Sequence, residues 1–495
     1  MVMRETGVER EQRIRHQELV NEMSARIDRL PVSWFTYRVC ILAGLAFIAE
    51  AFDIGLTGST LVPMAKIWHI THAQMGLLGI ASTLGIVVAL IPSGMLVDHF
   101  GRKIVMIAGV IIQCIFTMAA ALSNGVMMVV LMRFIAGLGQ GAVFPTPVAY
   151  ISEYAPPATR GSFVSLVLAL LYFTYPLPPF VSSLIVKSYP AALSWKIMFL
   201  TGGVPLLFVL PMVIWLPESV RWMAKKGHIE KAKSTLNRIE EEVSRYLRKP
   251  LPEYVVDDLP FNSDKSPWWV AFSEQYLKRT IFLDIMYSGT FVFWYVLLIY
   301  GPTFSVREGL SMASALRFNA YLFMACAVGG LIMGFLADKI GRKMMIAAYA
   351  LLGSLGLILF VFYHSPAAIW ITGAMIGGFG LGVFPVCKVY ISEQYPTEIR
   401  GRGVFSCEAV SRFVGGVLFM YYVSYLMNII SVGAIYIMMA IGFFVMTGIV
   451  IMLFGNETKS LSIDHVSSHH PVLVPATRQD PMSEGWTGPE YRPQT

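Results

Sequence analysis

The chain alternates long apolar stretches with short polar segments from about residue 38 to residue 454. Each apolar stretch holds roughly 20 residues or more, the length with which an α-helix crosses a bilayer. The pattern predicts an all-α integral membrane protein with 12 transmembrane helices. The predicted helices span residues 38–64, 73–97, 103–123, 126–152, 163–186, 197–216, 280–304, 316–338, 343–363, 368–391, 402–429 and 431–454.

Charged segments divide these helices into two groups of six. We predict a solvent-exposed, partly helical lead-in at the N-terminus and, from 229 to 248, an amphipathic helix on the membrane face. The polar tail from 460 onwards, rich in Pro, Ser and His, is typical of disorder. The expected parts are a cytoplasmic segment 1–37, a six-helix bundle 38–216, a cytoplasmic bridge 217–279, a second bundle 280–454 and a cytoplasmic tail 455–495.

The second group of helices repeats the first. Gly94-Met-Leu-Val-Asp-His-Phe-Gly-Arg-Lys103 returns as Gly334-Phe-Leu-Ala-Asp-Lys-Ile-Gly-Arg-Lys343, 240 positions later. Phe144-Pro145, Tyr150-Ile-Ser-Glu153 and Arg160-Gly161 return at the same displacement. A register kept over about 70 residues indicates two copies of one membrane unit joined in a single chain.

Composition and charge agree with a membrane protein. Hydrophobic residues make up 56% of the chain, charged residues 14%, and the mean hydropathy is +0.62. The net charge of +7 follows membrane topology rather than a nucleic-acid-binding patch. With a cytoplasmic N-terminus, 30 of the 38 Lys and Arg residues fall inside and three lie within helices. The outer loops carry the other five, Lys66, Lys187, Lys196, Arg307 and Arg317. We therefore expect a multi-pass protein of the cell membrane with both termini in the cytoplasm.

The duplicated Gly-x-Leu-x-Asp-x-x-Gly-Arg-Lys loop resembles that of the major facilitator superfamily. Arg133-Phe-Ile-Ala-Gly-Leu-Gly-Gln-Gly141, Pro217-Glu-Ser-Val-Arg-Trp222 and Asn456-Glu-Thr-Lys459 are similar to its sugar-porter and metabolite–proton symporter branch. The resemblance covers about residues 35–460 and implies two bundles around a central site, with alternating access. Glu50-Ala-Phe-Asp53 looks similar to a motif of aromatic-acid and nicotinate-type symporters, although Glu50 and Ala51 depart from it.

The duplicated loops supply candidate gating residues. Glycine permits a sharp turn, and the acidic and basic groups can pair at the cytoplasmic face and hold it closed. The alternative is that these charges only fix topology, which explains the basic residues but not the acidic ones. The candidates are Asp98, Gly101, Arg102, Glu153 and Arg160, with Asp338, Gly341, Arg342, Glu393 and Arg400 in the second copy.

Charged residues inside the apolar stretches are candidates for proton coupling. Asp53 and Arg133 are predicted at depths about 6 Å apart, so they can form an ion pair. The pair either couples protons to cargo or is a static structural contact. Glu50 lies one turn before Asp53 and is either a second protonatable group or a partner for a nearby cation.

A second set of residues is predicted to bind substrate. Arg412 either anchors a substrate carboxylate or is neutralised locally by Glu408. Aromatic residues of the seventh and tenth helices can wall a cavity or simply pack, and Gln140 is the neutral polar candidate of the fourth helix. The full set is Arg412, Gln140, Tyr287, Trp294, Tyr295 and Phe384.

These patterns favour a secondary transporter that moves a small organic acid with protons, as a monomer and without a cofactor. Residues 281–300 contain no Gln, whereas a sugar needs many directed hydrogen bonds. A sugar or polyol transporter is nevertheless the main alternative, and a metabolite sensor of the same fold is another. The sequence carries no nucleotide-binding loop, zinc spacing or nucleophile elbow, so we do not expect an enzyme.

Overall fold

The structure, a computed structural model, describes residues 7–157, 159–254, 256, 268–363, 365–396 and 399–458. The tail predicted to be disordered, from residue 460, lies outside this part of the chain. Within the described residues, 12 helices are long and apolar enough to cross a membrane, and the all-helical fold class is confirmed.

The helices follow the predicted order, and most extend a few residues beyond the predicted bounds. A terminal helix, α1, precedes the first six spans, and two short helices, α8 and α9, connect the halves. The bounds are α1 Gly7–Asp28, α2 Trp34–Trp68, α3 His72–Phe100, α4 Arg102–Ala120, α5 Val126–Tyr154, α6 Arg160–Ser188, α7 Ala191–Trp215, α8 Val220–Lys225, α9 Ile229–Leu247, α10 Leu277–Arg307, α11 Met312–Ile340, α12 Arg342–Phe362, α13 Pro366–Glu393, α14 Arg400–Leu426 and α15 Val432–Phe454.

Local sequence explains where several helices begin and end. The Thr71 side chain accepts the backbone N–H of Gln74 at the start of α3, and Ser311 accepts that of Ser314 at the start of α11. The duplicated loops turn at Gly101 and Gly341, whose φ angles of 97° and 127° disfavour any residue with a Cβ. The predicted role of these glycines in a sharp turn is confirmed.

Glycines in α5 let three helices approach closely. A Cβ atom on Gly137 would collide with the carbonyl oxygen of Ser82 in α3, and one on Gly139 would meet Gly109 in α4. The glycine run of the fourth span therefore serves helix packing, as its composition predicts.

The two bundles meet in the half of the membrane opposite α8 and α9. We call the side that carries α1, α8 and α9 the bridge face, and the other side the far face. Gly58 of α2 lies against the backbone of Leu298 and Ile299 in α10, and Gly76 of α3 lies against Ser424 in α14. These contacts join the first bundle to the second near the far face and close that side.

The N-terminal lead-in differs from the prediction of a solvent-exposed segment. Val20, Met23 and Ile27 of α1 are buried, and they recur at helical spacing on one side of the helix. Arg26 contacts Glu240 of α9 at 2.6 Å, and Asp28 contacts Arg221 of α8 at 2.7 Å. The expectation was wrong because it weighed the charges of this segment and overlooked its apolar stripe.

Candidate functional site

The first site is an ion pair buried inside the N-terminal bundle. Arg133 of α5 lies 2.5 Å from the Asp53 carboxylate of α2, and both side chains are almost fully buried. Asp53 also accepts hydrogen bonds from Thr117 and Gln140, and Arg133 donates to Thr57 at 2.6 Å. The predicted pairing is therefore present, with partners from α2, α4 and α5.

Gln140 has a different position from the one its predicted role requires. Its amide donates to Asp53, within the first bundle, and it does not line the central cavity described below. The amide therefore belongs to the Asp53–Arg133 pair. The sequence identifies Gln140 as polar and membrane-embedded but does not indicate which way it points.

The second site is an aromatic cavity between the bundles. Its lining residues are Phe144, Leu168, Leu171, Tyr172, Tyr175, Phe291, Trp294, Tyr295, Phe384, Lys388 and Arg412. The free space of about 20 Å³ is enough for one water molecule, so the side chains around this cavity are closely packed. Tyr287 lies behind this wall, with its ring 5.3 Å from that of Phe384.

Arg412 is the most connected cation of this cavity. It donates to Glu408 at 2.9 Å and to the Tyr295 hydroxyl at 3.1 Å, and its guanidinium lies 4.0 Å from the centre of the Phe144 ring. Its contact with Glu50, at 3.7 Å, crosses from the second bundle to the first. The local pairing with Glu408 is therefore present, and Arg412 also lines the cavity, while its role towards a substrate carboxylate stays a prediction.

Lys388 adds a second cation to the same wall. Its ammonium lies 3.8 Å from Glu408 and 4.4 Å from the centre of the Phe144 ring. Its position near the cytoplasmic end of α13 is compatible with an internal ion network, and the structure places that network at the cavity. Lys388 was missed as a cavity residue because helical position alone does not show the direction of a side chain.

Two buried groups beside the cavity have unsatisfied polar atoms. Among the described residues, neither carboxylate oxygen of Glu50 accepts a hydrogen bond, and the indole N–H of Trp294 has no acceptor. Buried polar atoms are nearly always paired in native proteins, and exceptions often mark functional positions. The indole N–H of Trp294 is therefore free to donate a hydrogen bond to an anionic ligand. Protonation of Glu50 would remove its charge and weaken its ion pair with Arg412.

The duplicated loops form two matching networks at the bridge face. Arg102 contacts Glu153 at 3.0 Å and the largely exposed Asp98 at 3.6 Å. Arg342 contacts Glu393 at 3.3 Å and the largely exposed Asp338 at 2.9 Å. All of these contacts lie within one bundle, so they brace the helix ends of each half and do not cross between the halves.

Arg160 and Arg400 are the other two gating candidates. Arg160 contacts Asp28 of α1 at 3.3 Å. The ion-pair partner of Arg160 is therefore on the N-terminal helix and not in the network of Asp98, Arg102 and Glu153. Arg400 lies at the first turn of α14.

Two further carboxylates complete the networks, and the sequence analysis did not assign them a role. Glu218 accepts the backbone N–H groups of Arg102 and Lys103, and Glu457 accepts those of Arg342 and Lys343. Each acid binds the N-terminus of a helix, where free N–H groups favour a negative charge. The signal was the Glu followed by Ser or Thr after the sixth and twelfth spans.

Two six-helix bundles around a small central cavity are the architecture of a secondary transporter of the major facilitator superfamily. The family model described as "Sugar (and other) transporter" matches residues 34–469, and the chain belongs to that family. Its members are transporters rather than enzymes.

Curated relatives cover nearly all of the chain. The niacin transporter NiaP of Acinetobacter baylyi is 26% identical over 447 residues, which are 90% of this chain and 99% of the relative. The benzoate transport protein of the same organism is 27% identical and covers 78% of this chain and 82% of its own length. A 4-hydroxybenzoate transporter, PcaK, also of that organism, is 26% identical over 79% of this chain and 85% of its own.

Solved structures support the same fold. The partially occluded, inward-open xylose transporter XylE from E. coli has a TM-score of 0.68 at 21% identity, over 87% of this chain and all of that chain. A D-xylose–proton symporter gives a TM-score of 0.66 at 20% identity, over 86% of this chain and 99% of its own. At these identities the likeness establishes the fold alone.

Proposed function

We propose that the protein imports a small aromatic or nicotinate-like monocarboxylate together with a proton, by alternating access. The observation that carries this proposal is the position of Arg412, a buried guanidinium on the wall of an aromatic cavity. A planar ring suits the aromatic walls, and a carboxylate suits a guanidinium that can donate two parallel hydrogen bonds. The names of the relatives, which include niacin and benzoate transporters, support the same cargo class.

The lining gives less support to a sugar. It contains two cations and no Asn or Gln, and its neutral polar groups are three tyrosine hydroxyls and one indole N–H. One of those hydroxyls, that of Tyr295, already accepts from Arg412, while a sugar needs many directed hydrogen bonds. The xylose symporters share the fold, and that likeness does not extend to the cargo. The sugar alternative therefore becomes an outcome of the experiment below.

Charge balance supports proton symport. Around the cavity, Arg412 and Lys388 carry two positive charges, and Glu408 and Glu50 carry two negative charges when ionised. A monocarboxylate entering this low-dielectric site adds one uncompensated negative charge. Protonation of Glu50 restores the charge balance and weakens the Glu50–Arg412 contact between the bundles. The substrate carboxylate can then take the place of Glu50 beside Arg412.

In this proposal the two buried pairs have different duties. When substrate binds, its carboxylate replaces Glu50 as the partner of Arg412, so the Glu50–Arg412 contact is present only while the cavity is empty. The Asp53–Arg133 pair holds α2 against α5 within the first bundle, and its carboxylate is the second candidate for the coupling proton. We further propose that the bridge face is cytoplasmic, because it carries the basic loops.

The test compares nicotinate with nicotinamide, which differ in charge but have the same ring. We expect the wild-type protein in proteoliposomes to bind nicotinate and to discriminate against the amide. Arg412→Gln should lower the affinity for nicotinate by about 10- to 100-fold, since a hydrogen bond to a charged group contributes about 1.5–3 kcal/mol. Binding of the amide should change far less.

Arg412→Lys serves as the matched control, because it keeps the charge and loses the forked donor geometry. We expect it to retain part of the preference for the acid. Equal binding of acid and amide by the wild type would contradict the carboxylate role of Arg412. Hexose uptake that aromatic acids fail to inhibit would establish the sugar alternative instead.

A further inference from the structure

A groove of about 750 Å³ opens to solvent at the bridge face, and the transport site does not use it. It lies where the C-terminal end of α9 meets the segment that joins α1 to α2. The residues that matter for its chemistry are Arg29, Glu241, Arg245, Arg248, Lys249 and Leu251. Four of these six carry positive charge.

The positive charge of the groove is not cancelled by its acids. Glu240, which also lines it, is occupied by Arg26 at 2.6 Å and by Arg29 at 2.8 Å. The three basic residues at the end of α9 are exposed, and no described acid lies within ion-pair distance of them. Glu241 is the remaining acid of the lining, so an excess of cations faces the groove.

The groove opens at the level of the lipid headgroups. Arg38, in the second turn of α2, makes two hydrogen bonds of 2.7 and 2.9 Å to Glu242, which fixes α9 beside the beginning of the first span. Trp34 and Tyr37 project from the same part of α2 and are 54% and 44% exposed. Exposed Trp and Tyr residues at the end of a span mark the membrane–water interface.

We propose that this groove binds the phosphate of an anionic phospholipid in the leaflet at the bridge face. Arginine forks and lysine ammonium groups are the side chains that bind phosphate most effectively. Leu251 in the groove and the exposed ring of Tyr246 beside it offer apolar surface to the glycerol and upper acyl chain. Basic clusters next to a span attract anionic lipids, and here the basic side chains line one shallow groove that is open to solvent.

The test measures lipid retention by the purified full-length protein, using native mass spectrometry with added phosphatidylglycerol or phosphatidylcholine. The variant Arg245→Gln/Arg248→Gln/Lys249→Gln should retain phosphatidylglycerol at least about tenfold less well than the wild type. Retention of phosphatidylcholine should not change. Because all three side chains are exposed, the fold should be unaffected.

The control is Lys226→Gln/Lys231→Gln/Lys233→Gln, which removes the same charge from the other end of the bridge. It should retain phosphatidylglycerol like the wild type, and so should Arg245→Lys/Arg248→Lys. Equal losses in the groove and control variants would overturn the proposal in favour of a diffuse charge effect. Displacement of the lipid by inorganic phosphate at equal concentration would assign the groove to a soluble anion, and would overturn the lipid assignment.

Discussion

Glu50 and Asp53 lie one turn apart on α2 and contact different partners. Glu50 faces Arg412 across the bundle interface and accepts no hydrogen bond among the described residues, whereas Asp53 accepts several inside its own bundle. If Glu50 carries the balancing proton, Glu50→Gln mimics its protonated form permanently. We expect this variant to exchange labelled for unlabelled substrate but to lose accumulation driven by an inward proton gradient. Uptake by proteoliposomes with and without a gradient measures both activities.

Asp53→Asn is the comparison variant for that experiment. It leaves the Arg133 charge buried without its acid, and such a change typically costs about 3–5 kcal/mol of stability. We therefore expect a lower melting temperature for Asp53→Asn, which should be measured beside transport. Accumulation that survives in Glu50→Gln but is lost in a folded Asp53→Asn would transfer the coupling role to Asp53.

Some residue contacts were predictable and others were not. Asp53 and Arg133 were paired from the sequence because each is an isolated charge in an apolar stretch, and helical rise gives their depths. The contact between Glu50 and Arg412 joins two bundles, and no periodicity within one helix specifies how the bundles face each other. Gln140 was placed with the substrate although it contacts Asp53, because its position along one helix does not show which neighbouring helix its side chain faces.

Among the helices, α1 is held to the bridge by ion pairs that depend on pH. Burial opposes ionisation of Glu240, but the hydrogen bonds and charges of Arg26 and Arg29 outweigh it and lower its pKa below the usual value. The pKa of Arg26 is raised, chiefly by its hydrogen bond to Glu240. A carboxyl group with a lowered folded-state pKa stabilises the docked helix above its unfolded-state pKa of about 4.3. That stabilisation is lost as pH falls through the folded-state value.

We therefore expect α1 to remain docked at neutral pH and to detach only under acidic conditions. Spin labels on α1 and α9 should report a short distance at pH 7 in the wild type and a longer one in strong acid. Glu240→Gln should shift the population towards the longer distance already at pH 7. A docked helix in that variant at neutral pH would assign its attachment to the buried side chains of α1 and to the ion pairs of Asp28 instead.

The closure of the far face depends on the absence of a side chain at Gly58. A Cβ atom there would collide with the backbone of Leu298 and Ile299, which cannot move without moving α10. Gly58→Val should therefore disfavour the far-face-closed state and increase access to the cavity from that side. Distances between spin labels at the far-face ends of α2 and α10 should lengthen.

Gly94→Ala is the control, because no heavy atom lies within 4 Å of a Cβ placed at this glycine. It should leave the distance distribution unchanged. An unchanged distribution in Gly58→Val as well would mean that this crossing adapts without opening. The helix positions were predictable from the apolar pattern, but this crossing was not, because a glycine in a span does not reveal which helix lies against it.

Considered as a whole, the molecule is built from two copies of one unit, and the repeat of 240 positions predicted this correctly. The repeat also explains why the bridge-face networks match, since Glu153 and Glu393 occupy equivalent places. The buried Asp53–Arg133 pair has no counterpart in the second half. In the second half, Phe293 and Gly373 occupy the positions equivalent to Asp53 and Arg133. The shared fold therefore does not require this buried ion pair, which serves either transport or the packing of the first bundle.

Orientation in the membrane remains a prediction, and the chain is well suited to a direct test. All five cysteines are buried, so a membrane-impermeant maleimide should give little background labelling. Glu308→Cys introduces an exposed thiol just after α10 at the far face, and Tyr246→Cys introduces one near the end of α9 at the bridge face. Because basic residues are retained in the cytoplasm, we expect position 308 to label in intact cells and position 246 only in inverted vesicles. The reverse pattern would place the bridge outside the cell, and would contradict the predicted topology.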